Sequence, residues 1–192
     1  MPKVSVIIPA YNKADYTVKA VESVLNQTHK DIECIVVDDA SLCNTHGALL
    51  RANIDWGKTT LIQQGYNQGA SAARNAGIRY AIGDYIALLD CDDMYQKRKI
   101  ELSIKDNPDF IYTCAHLIDK DDNIIGLYQP KRSNLLFRNS ICNSVVIKRK
   151  CFDKVGLFDE SLFICADWDM WLRMEEHYEL TYLNMPLTYY RI

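Results

Sequence analysis

Residues 85–93 read Tyr-Ile-Ala-Leu-Leu-Asp-Cys-Asp-Asp, YIALLDCDD. Five apolar or aromatic residues run directly into three carboxylates within four positions. A short, continuous apolar run predicts a strand buried on both faces, here Asp84 to Leu89. The acids that follow oppose one another, because each charge disfavours ionisation of its neighbours. The stretch therefore predicts a central strand of a covered sheet with a charged ligand site at its carboxyl end.

The pattern repeats on the N-terminal side. Lys3 to Ile8 is a Val/Ile-rich run closed by Pro9, and Ile32 to Val37 is a second buried strand ending in Asp38-Asp39. Thr59 to Gln63 reads as a short strand. Between these lie helical segments: Ala14 to Asn26 with Val18, Val21, Val24 and Leu25 on one face, residues 44 to 54, and Ala70 to Ala81 after the loop Asn67-Gln68-Gly69. Strands alternating with helices across short connections predict βαβ units and a parallel, doubly covered sheet.

Beyond residue 95 the alternation loosens. Lys97 to Ile104 reads as a helix and Asp109 to Cys114 as a strand. Leu117 to Tyr128 reads as a hairpin around Asp119-Lys120-Asp121-Asp122-Asn123. Ser144 to Ile147 is strand-like, and Asp167 to Glu176 is helical with Trp168, Trp171 and Leu172 on one side. Tyr178 to Leu183 and Leu187 to Tyr190 read as two late strands. No linker divides the chain, so residues 1–192 are expected to form one domain, with a nucleotide-fold half (1–95) and a more irregular half (96–192).

In open parallel sheets ligands bind at the carboxyl ends of the strands. Three predicted strands end there in Pro9-Ala10-Tyr11-Asn12, Asp38-Asp39-Ala40-Ser41 and Asp90-Cys91-Asp92-Asp93. Each stretch precedes a predicted helix, so N-capping is the competing explanation. One cap needs one side chain, however. A hard divalent ion bound through one or two carboxylates and substrate phosphates accounts better for the triple acid. Cys91 is expected to be a small buried spacer facing away from the site.

Composition narrows the classes further. Apolar residues are 48% and charged residues 24% of the 192, an ordinary globular balance for a chain long enough to bury a core. A net charge of −3 with no basic tract argues against binding long nucleic acid. The seven cysteines are odd in number and lack CxxC spacing, which fits reduced thiols in a cytosolic protein. No stretch reaches membrane-spanning length; a peripheral membrane contact stays open.

VSVIIPAYNKADYTVKAVESVLNQT, IVVDDAS, NQGASAARNAGIRYAIGDYIALLDCDD, KVGLFDESL, and ADWDMWLRM with the final YYRI resemble, in this order, a family 2 glycosyltransferase of the GT-A fold. The resemblance implies an α/β fold and transfer of a sugar from a nucleoside-diphosphate donor to an acceptor hydroxyl, with inversion. A UDP-sugar is favoured as donor, a carbohydrate or glycoconjugate as acceptor, and Mn²⁺ or Mg²⁺ as metal. It implies that Pro9, Ala10, Tyr11 and Asn12 border the nucleotide, with Tyr11 stacking on the base. Asp39 would accept from the base edge, Arg74 would offset diphosphate charge, and Asp90 would sit by the ribose. Asp92 would ligate the metal, Asp93, Asn143 and Ser144 would lie near the sugar, and Asp167 would be the general base.

The residues taken alone leave alternatives. Tyr11 also fits a packing aromatic, Arg74 a surface ion-pair partner, Lys97-Arg98-Lys99 a solvated helix face, and Trp168 and Trp171 core positions. Ala166 stands where the family commonly has Glu, and the chain ends just after YYRI, which fits a compact enzyme or the catalytic domain of a longer chain. A nucleotide-sugar-binding module without transfer activity is the main competing class. A nucleotidyltransferase fits less well, since Pro9 to Lys13 holds none of the glycines a triphosphate loop needs.

Overall fold

The computed structural model describes residues 1–130, 135–136 and 138–192. The N-terminal half runs β1 (Val4–Ala10), α1 (Ala14–Leu25), β2 (Ile32–Asp38), α2 (Thr45–Arg51), β3 (Thr59–Gln63), α3 (Ala70–Tyr80) and β4 (Tyr85–Leu88). There follow β5 (Met94–Tyr95), α4 (Lys99–Ile104), β6 (Phe110–Ile118), β7 (Ile124–Tyr128), β8 (Val146–Lys148), α5 (Arg149–Val155), α6 (Ala166–Glu175) and β9 (Leu180–Arg191).

The described strands form one sheet in the order β3-β2-β1-β4-β8-β6-β9-β5, with β7 paired to β6. β3, β2, β1 and β4 are mutually parallel, as are β6 and β9. β8 lies antiparallel between β4 and β6 and joins the two parallel groups. This mixed, mostly parallel α/β sheet is the predicted fold class.

The apolar runs act as double-faced strands. Val4, Val6 and Ile8 of β1, Cys34 and Val36 of β2, and Tyr85 and Ala87 of β4 enter one core with α1 and α2. Their alternates Ile7, Ile35, Val37, Ile86 and Leu88 enter a second core with α3, α5 and α6. Side chains alternate along a strand, so a strand covered twice needs apolar residues at nearly every position. Pro9 fits because it lies beyond the last β1–β4 pair, Ile7↔Leu88. Ile7 O accepts from Leu89 N, so position 9 shares the β4-facing edge, where no ladder bond is lost.

The structure corrects several sequence expectations. The two late strands are one strand, β9, whose pairing to β6 shifts register around Cys114, where Pro186 enters. β6 continues to Ile118 and forms the expected hairpin with β7. β5 and α5 were not anticipated: β5 has two residues, and α5 buries only Cys151 and Phe152 among charged neighbours. Lys99 is not part of a solvated face. It is fully buried, its Nζ donates to Thr113 Oγ1 (2.9 Å) and Ser144 O (2.8 Å), and burial pushes its pKa down to about 8. All seven cysteines are free thiols. Among the described residues, no helix is long and apolar enough to cross a membrane.

α3 carries site residues and sits close to the sheet because Gly77 permits it. A Cβ there would fall 2.4 Å from Ile7 Cγ2, a branched atom fixed to the central strand. Gly77→Ala is expected to lower stability by about 1–3 kcal/mol through overpacking. Urea unfolding checks this; an unchanged midpoint would show that α3 has room to move.

Candidate functional site

The carboxyl ends of β1, β2 and β4 open into a crevice of about 560 Å³. Pro9, Ala10, Tyr11, Lys13, Asp39, Arg74, Asp90, Asp92, Asp93 and Arg191 line it, among others. A smaller pocket of about 190 Å³ adjoins it and shares Gly69, Ala70 and Arg74. Asn143, Glu160, Phe163 and Asp167 line this second pocket.

Capping does not explain the acids. α2 is capped by Asn44, whose Oδ1 accepts from Gly47 N (2.7 Å). The helix after the Asp90–Asp93 stretch, α4, has Arg98 at its N-cap position and no side-chain cap. Asp38 instead closes its own turn, accepting from Ser41 N (3.0 Å). Asp39 is buried in the crevice wall and accepts from Gln68 N (2.7 Å) and Gly69 N (2.8 Å). It thereby fixes the start of α3 against the end of β2.

The three clustered acids are balanced in three different ways. Asp90 accepts from Arg74 Nη2 (2.6 Å) and Asn143 Nδ2 (2.9 Å). Burial pushes its carboxyl up, but Arg74 and the Asn143 hydrogen bond outweigh that and hold the pKa below the ordinary value. Asp92 pairs with Lys13, Nζ to Oδ2 2.5 Å. Partial burial pulls Lys13 down, and Asp92 more than offsets it, so Lys13 stays charged. Asp93 has no cation of its own. It is 2% exposed, one oxygen accepts from Arg191 N (2.9 Å), and Oδ2 has no hydrogen-bond partner. Burial, then the charge of Asp90, pushes its pKa up to about 8, so it is neutral at pH 7.

The remaining expected residues divide. Tyr11 is 44% exposed at the crevice, so it is not a packing aromatic. Arg74 is buried, with its guanidinium 5.7 Å from the Phe158 ring, so it is not a surface ion-pair partner. Asn12 does not line the crevice; its Oδ1 accepts from Leu42 N (2.7 Å) and braces the β1 and β2 loops together. Ser144 is buried behind the wall, where its carbonyl receives Lys99. Cys91 belongs to the apolar core, yet it also contributes to the crevice wall, contrary to expectation. Asp167 stands in the first turn of α6 and accepts from Asn139 Nδ2 (2.8 Å). Trp171 is core, T-shaped against Phe110 (5.1 Å between centroids). Trp168 donates to Leu135 O (2.7 Å).

Lys13, Asn75, Asn139 and Arg191 were not singled out from sequence. Asn75 is buried and pairs in both directions with the Phe158 backbone (Nδ2 to O 2.9 Å, N to Oδ1 2.9 Å), tying α3 to the segment before α6. Arg191 donates through Nε to Asp92 O (2.9 Å) and through Nη2 to Asp122 Oδ1 (2.5 Å), and Asp119 O is a further acceptor. The final YYRI thus anchors both the acid turn and the β6–β7 turn. Its position in a resembling motif was the available signal.

Among the described residues, no three His, Cys, Asp or Glu side chains gather as a metal cage. Asp90 and Asp93 are engaged within the protein, while Asp92 already holds a cation, the Lys13 ammonium. One hard carboxylate beside a polar crevice fits an Mg²⁺- or Mn²⁺-type ion completed by ligand oxygens.

The family model for glycosyl transferase family 2 matches residues 5–163. The chain belongs to that family. An uncharacterized glycosyltransferase of Rickettsia typhi is 35% identical over 189 residues, covering 90% of this chain and 58% of the relative. The chain thus spans little more than half of that protein. The Escherichia coli protein WfaP, a UDP-Glc:α-D-GlcNAc-diphosphoundecaprenol β-1,3-glucosyltransferase, is 32% identical over 203 residues, covering 100% of this chain and 78% of WfaP. The structure of S. aureus TarS residues 1–349 with UDP-GlcNAc superposes with a TM-score of 0.78 at 20% identity, covering 99% of this chain and 58% of that one. The fold is that of the GT-A glycosyltransferases.

The Asp93 environment sets a pH dependence. From about pH 4 to about pH 8 the folded chain keeps a proton on Asp93 that the unfolded chain has lost, its ordinary value being 3.8. The contribution of Asp93 to stability therefore falls as pH rises through this window and is level above it. In chelator-treated protein, the stability of Asp93→Asn relative to wild type is expected to rise from pH 5 to pH 8. A difference that does not change with pH would contradict this environment.

Proposed function

We propose that the chain transfers a sugar, with inversion, from a nucleoside-diphosphate donor to an acceptor hydroxyl, with residues 1–192 working as one catalytic domain. The observation that carries this reading is the pair of adjoining pockets, one holding Asp92 and the other Asp167, with Arg74 in the shared wall. Inverting transfer needs this separation, because the base and the leaving group act on opposite faces of the anomeric carbon.

On this reading the crevice takes the nucleotide. The exposed Tyr11 ring stacks on the base, Pro9 and Ala10 border it, and Asp39 accepts from its edge. Asp90 sits by the ribose, and Arg74 carries positive charge toward the diphosphate. The sugar lies at the junction near Asp93 and Asn143. Asn12 and Ser144 act from behind, as braces. A UDP-sugar is favoured; the UDP-Glc donor of WfaP and the UDP-GlcNAc bound to TarS support that choice. When bound at Asp92 and the phosphates, Mg²⁺ or Mn²⁺ would supply Lewis-acid stabilisation of the departing diphosphate.

Asp167 takes the acceptor proton as the new C–O bond forms and the bond to the diphosphate breaks. Asn139 orients its carboxylate through Oδ2. The acceptor is a carbohydrate or glycoconjugate bearing the attacking hydroxyl.

Binding and nucleotide release across UDP-, GDP- and dTDP-sugars with Mn²⁺ or Mg²⁺ test the proposal. A UDP-sugar is expected to bind and release UDP when an acceptor is supplied. Binding without release with any acceptor would favour a binding module, and no binding would end the reading. Asp167→Asn is expected to lower turnover about 10²–10⁴-fold with donor affinity kept; full activity would remove Asp167 as the base. Asp92→Asn is expected to abolish the metal-dependent gain in donor affinity; a gain that survives would place the metal elsewhere.

A further inference from the structure

A nucleoside diphosphate brings several negative charges into a crevice already lined by Asp39, Asp90, Asp92 and Asp93. Positive charge must meet it. Among the described lining residues the cations are Lys13, Arg74 and Arg191. Arg191 is held by Asp92 O, Asp119 O and Asp122, with its guanidinium 4.5 Å from the Tyr16 ring. Arg74 is buried against Asp90 and Phe158. Both are fixed by their partners.

Lys13 differs. Its backbone is locked, since its carbonyl accepts from Thr17 N (2.9 Å) and Thr17 Oγ1 (2.9 Å) at the start of α1. The loop before it is braced by Asn12 N to Ser41 Oγ (2.9 Å) and by the Asn12–Leu42 contact. Its side chain is 46% exposed, gives no cap to α1, and makes one ion pair, to Asp92. A pair this exposed is weak and screened by water. A lysine ammonium is also a compact charge on a flexible stem, suited to changing partners.

Resting on the donor-site reading above, we propose that Lys13 is an exchangeable cation: Asp92 holds its ammonium in the free protein, and a divalent ion takes that place when the donor binds, releasing Lys13 to the donor phosphates. The two cations compete for the same Asp92 oxygen before the donor arrives and act together on the diphosphate afterwards. Metal binding without nucleotide is therefore weakened by Lys13, and diphosphate binding is strengthened by it. Without its own cation at Asp92, the free site would hold an uncompensated carboxylate beside Asp90.

The test uses Mn²⁺, UDP and uridine as probes on wild type, Lys13→Met and the charge-retaining Lys13→Arg. Mn²⁺ binding to nucleotide-free protein is read from the loss of the free-ion electron paramagnetic resonance signal. UDP and uridine binding is read by calorimetry at two salt concentrations. Lys13→Met is expected to bind Mn²⁺ alone about 3- to 10-fold more tightly, the scale of losing one exposed ion pair. It should bind UDP with Mn²⁺ about tenfold more weakly and with a shallower salt dependence, as loss of one phosphate cation requires. Uridine binding should not change, and Lys13→Arg should recover most of the UDP affinity. Unchanged Mn²⁺ affinity in Lys13→Met would overturn the exchange, as would unchanged UDP affinity, while UDP binding to wild type would still stand for the donor site. If wild type binds neither UDP nor UDP-sugars, the donor-site reading fails and this proposal with it.

Discussion

Everything at the candidate site depends on how three neighbouring carboxylates are tolerated at the end of β4. Each is compensated by a different part of the chain. Arg74 comes from α3 to Asp90, Lys13 comes from the start of α1 to Asp92, and Asp93 is kept protonated beneath the Arg191 backbone of β9. Acids that would repel one another in isolation thereby join three distant segments to one strand end. The same acids explain why Gly77 matters, since α3 must lie close to β1 for Arg74 to reach its partner.

The compensation also separates roles. Asp90 and Asp93 are committed inside the protein, so they shape the crevice and its potential. Asp92 is balanced by a half-exposed lysine, and an exposed pair is the easiest of the three to rearrange. A ligand carrying its own cations and anions meets least resistance there. The neighbouring pocket shows the same economy of parts: Asn75 fixes the segment at Phe158, Asn139 holds Asp167, and Asn143 links this wall to Asp90. Two of these neutral amides position carboxylates and the third a backbone segment, all without adding charge.

Much of this was legible in the sequence because buried parallel strands are apolar at almost every position. β1, β2 and β4 were readable for that reason, as were the acids that close β2 and β4, and the ordered motifs carried the family. What was not readable was partnership. Lys99 reads as one of three basic residues, yet its burial is set by Thr113 and the Ser144 carbonyl, far along the chain. β9 reads as two strands because Pro186 interrupts it, and only the register shift against β6 makes it continuous. α5 has too few apolar residues to show a period. The triple acid pointed to a cation, but not to the partners the chain itself supplies: Arg74 for Asp90, Lys13 for Asp92 and a retained proton for Asp93.

A crystal structure of the chain with UDP and Mn²⁺ tests the central claim most directly, with the metal located by anomalous scattering. The account predicts Mn²⁺ on Asp92 and the diphosphate oxygens, the uracil over Tyr11, and Arg74 still paired with Asp90. Mn²⁺ bound away from Asp92, or UDP seated outside the crevice at the ends of β1, β2 and β4, would contradict it.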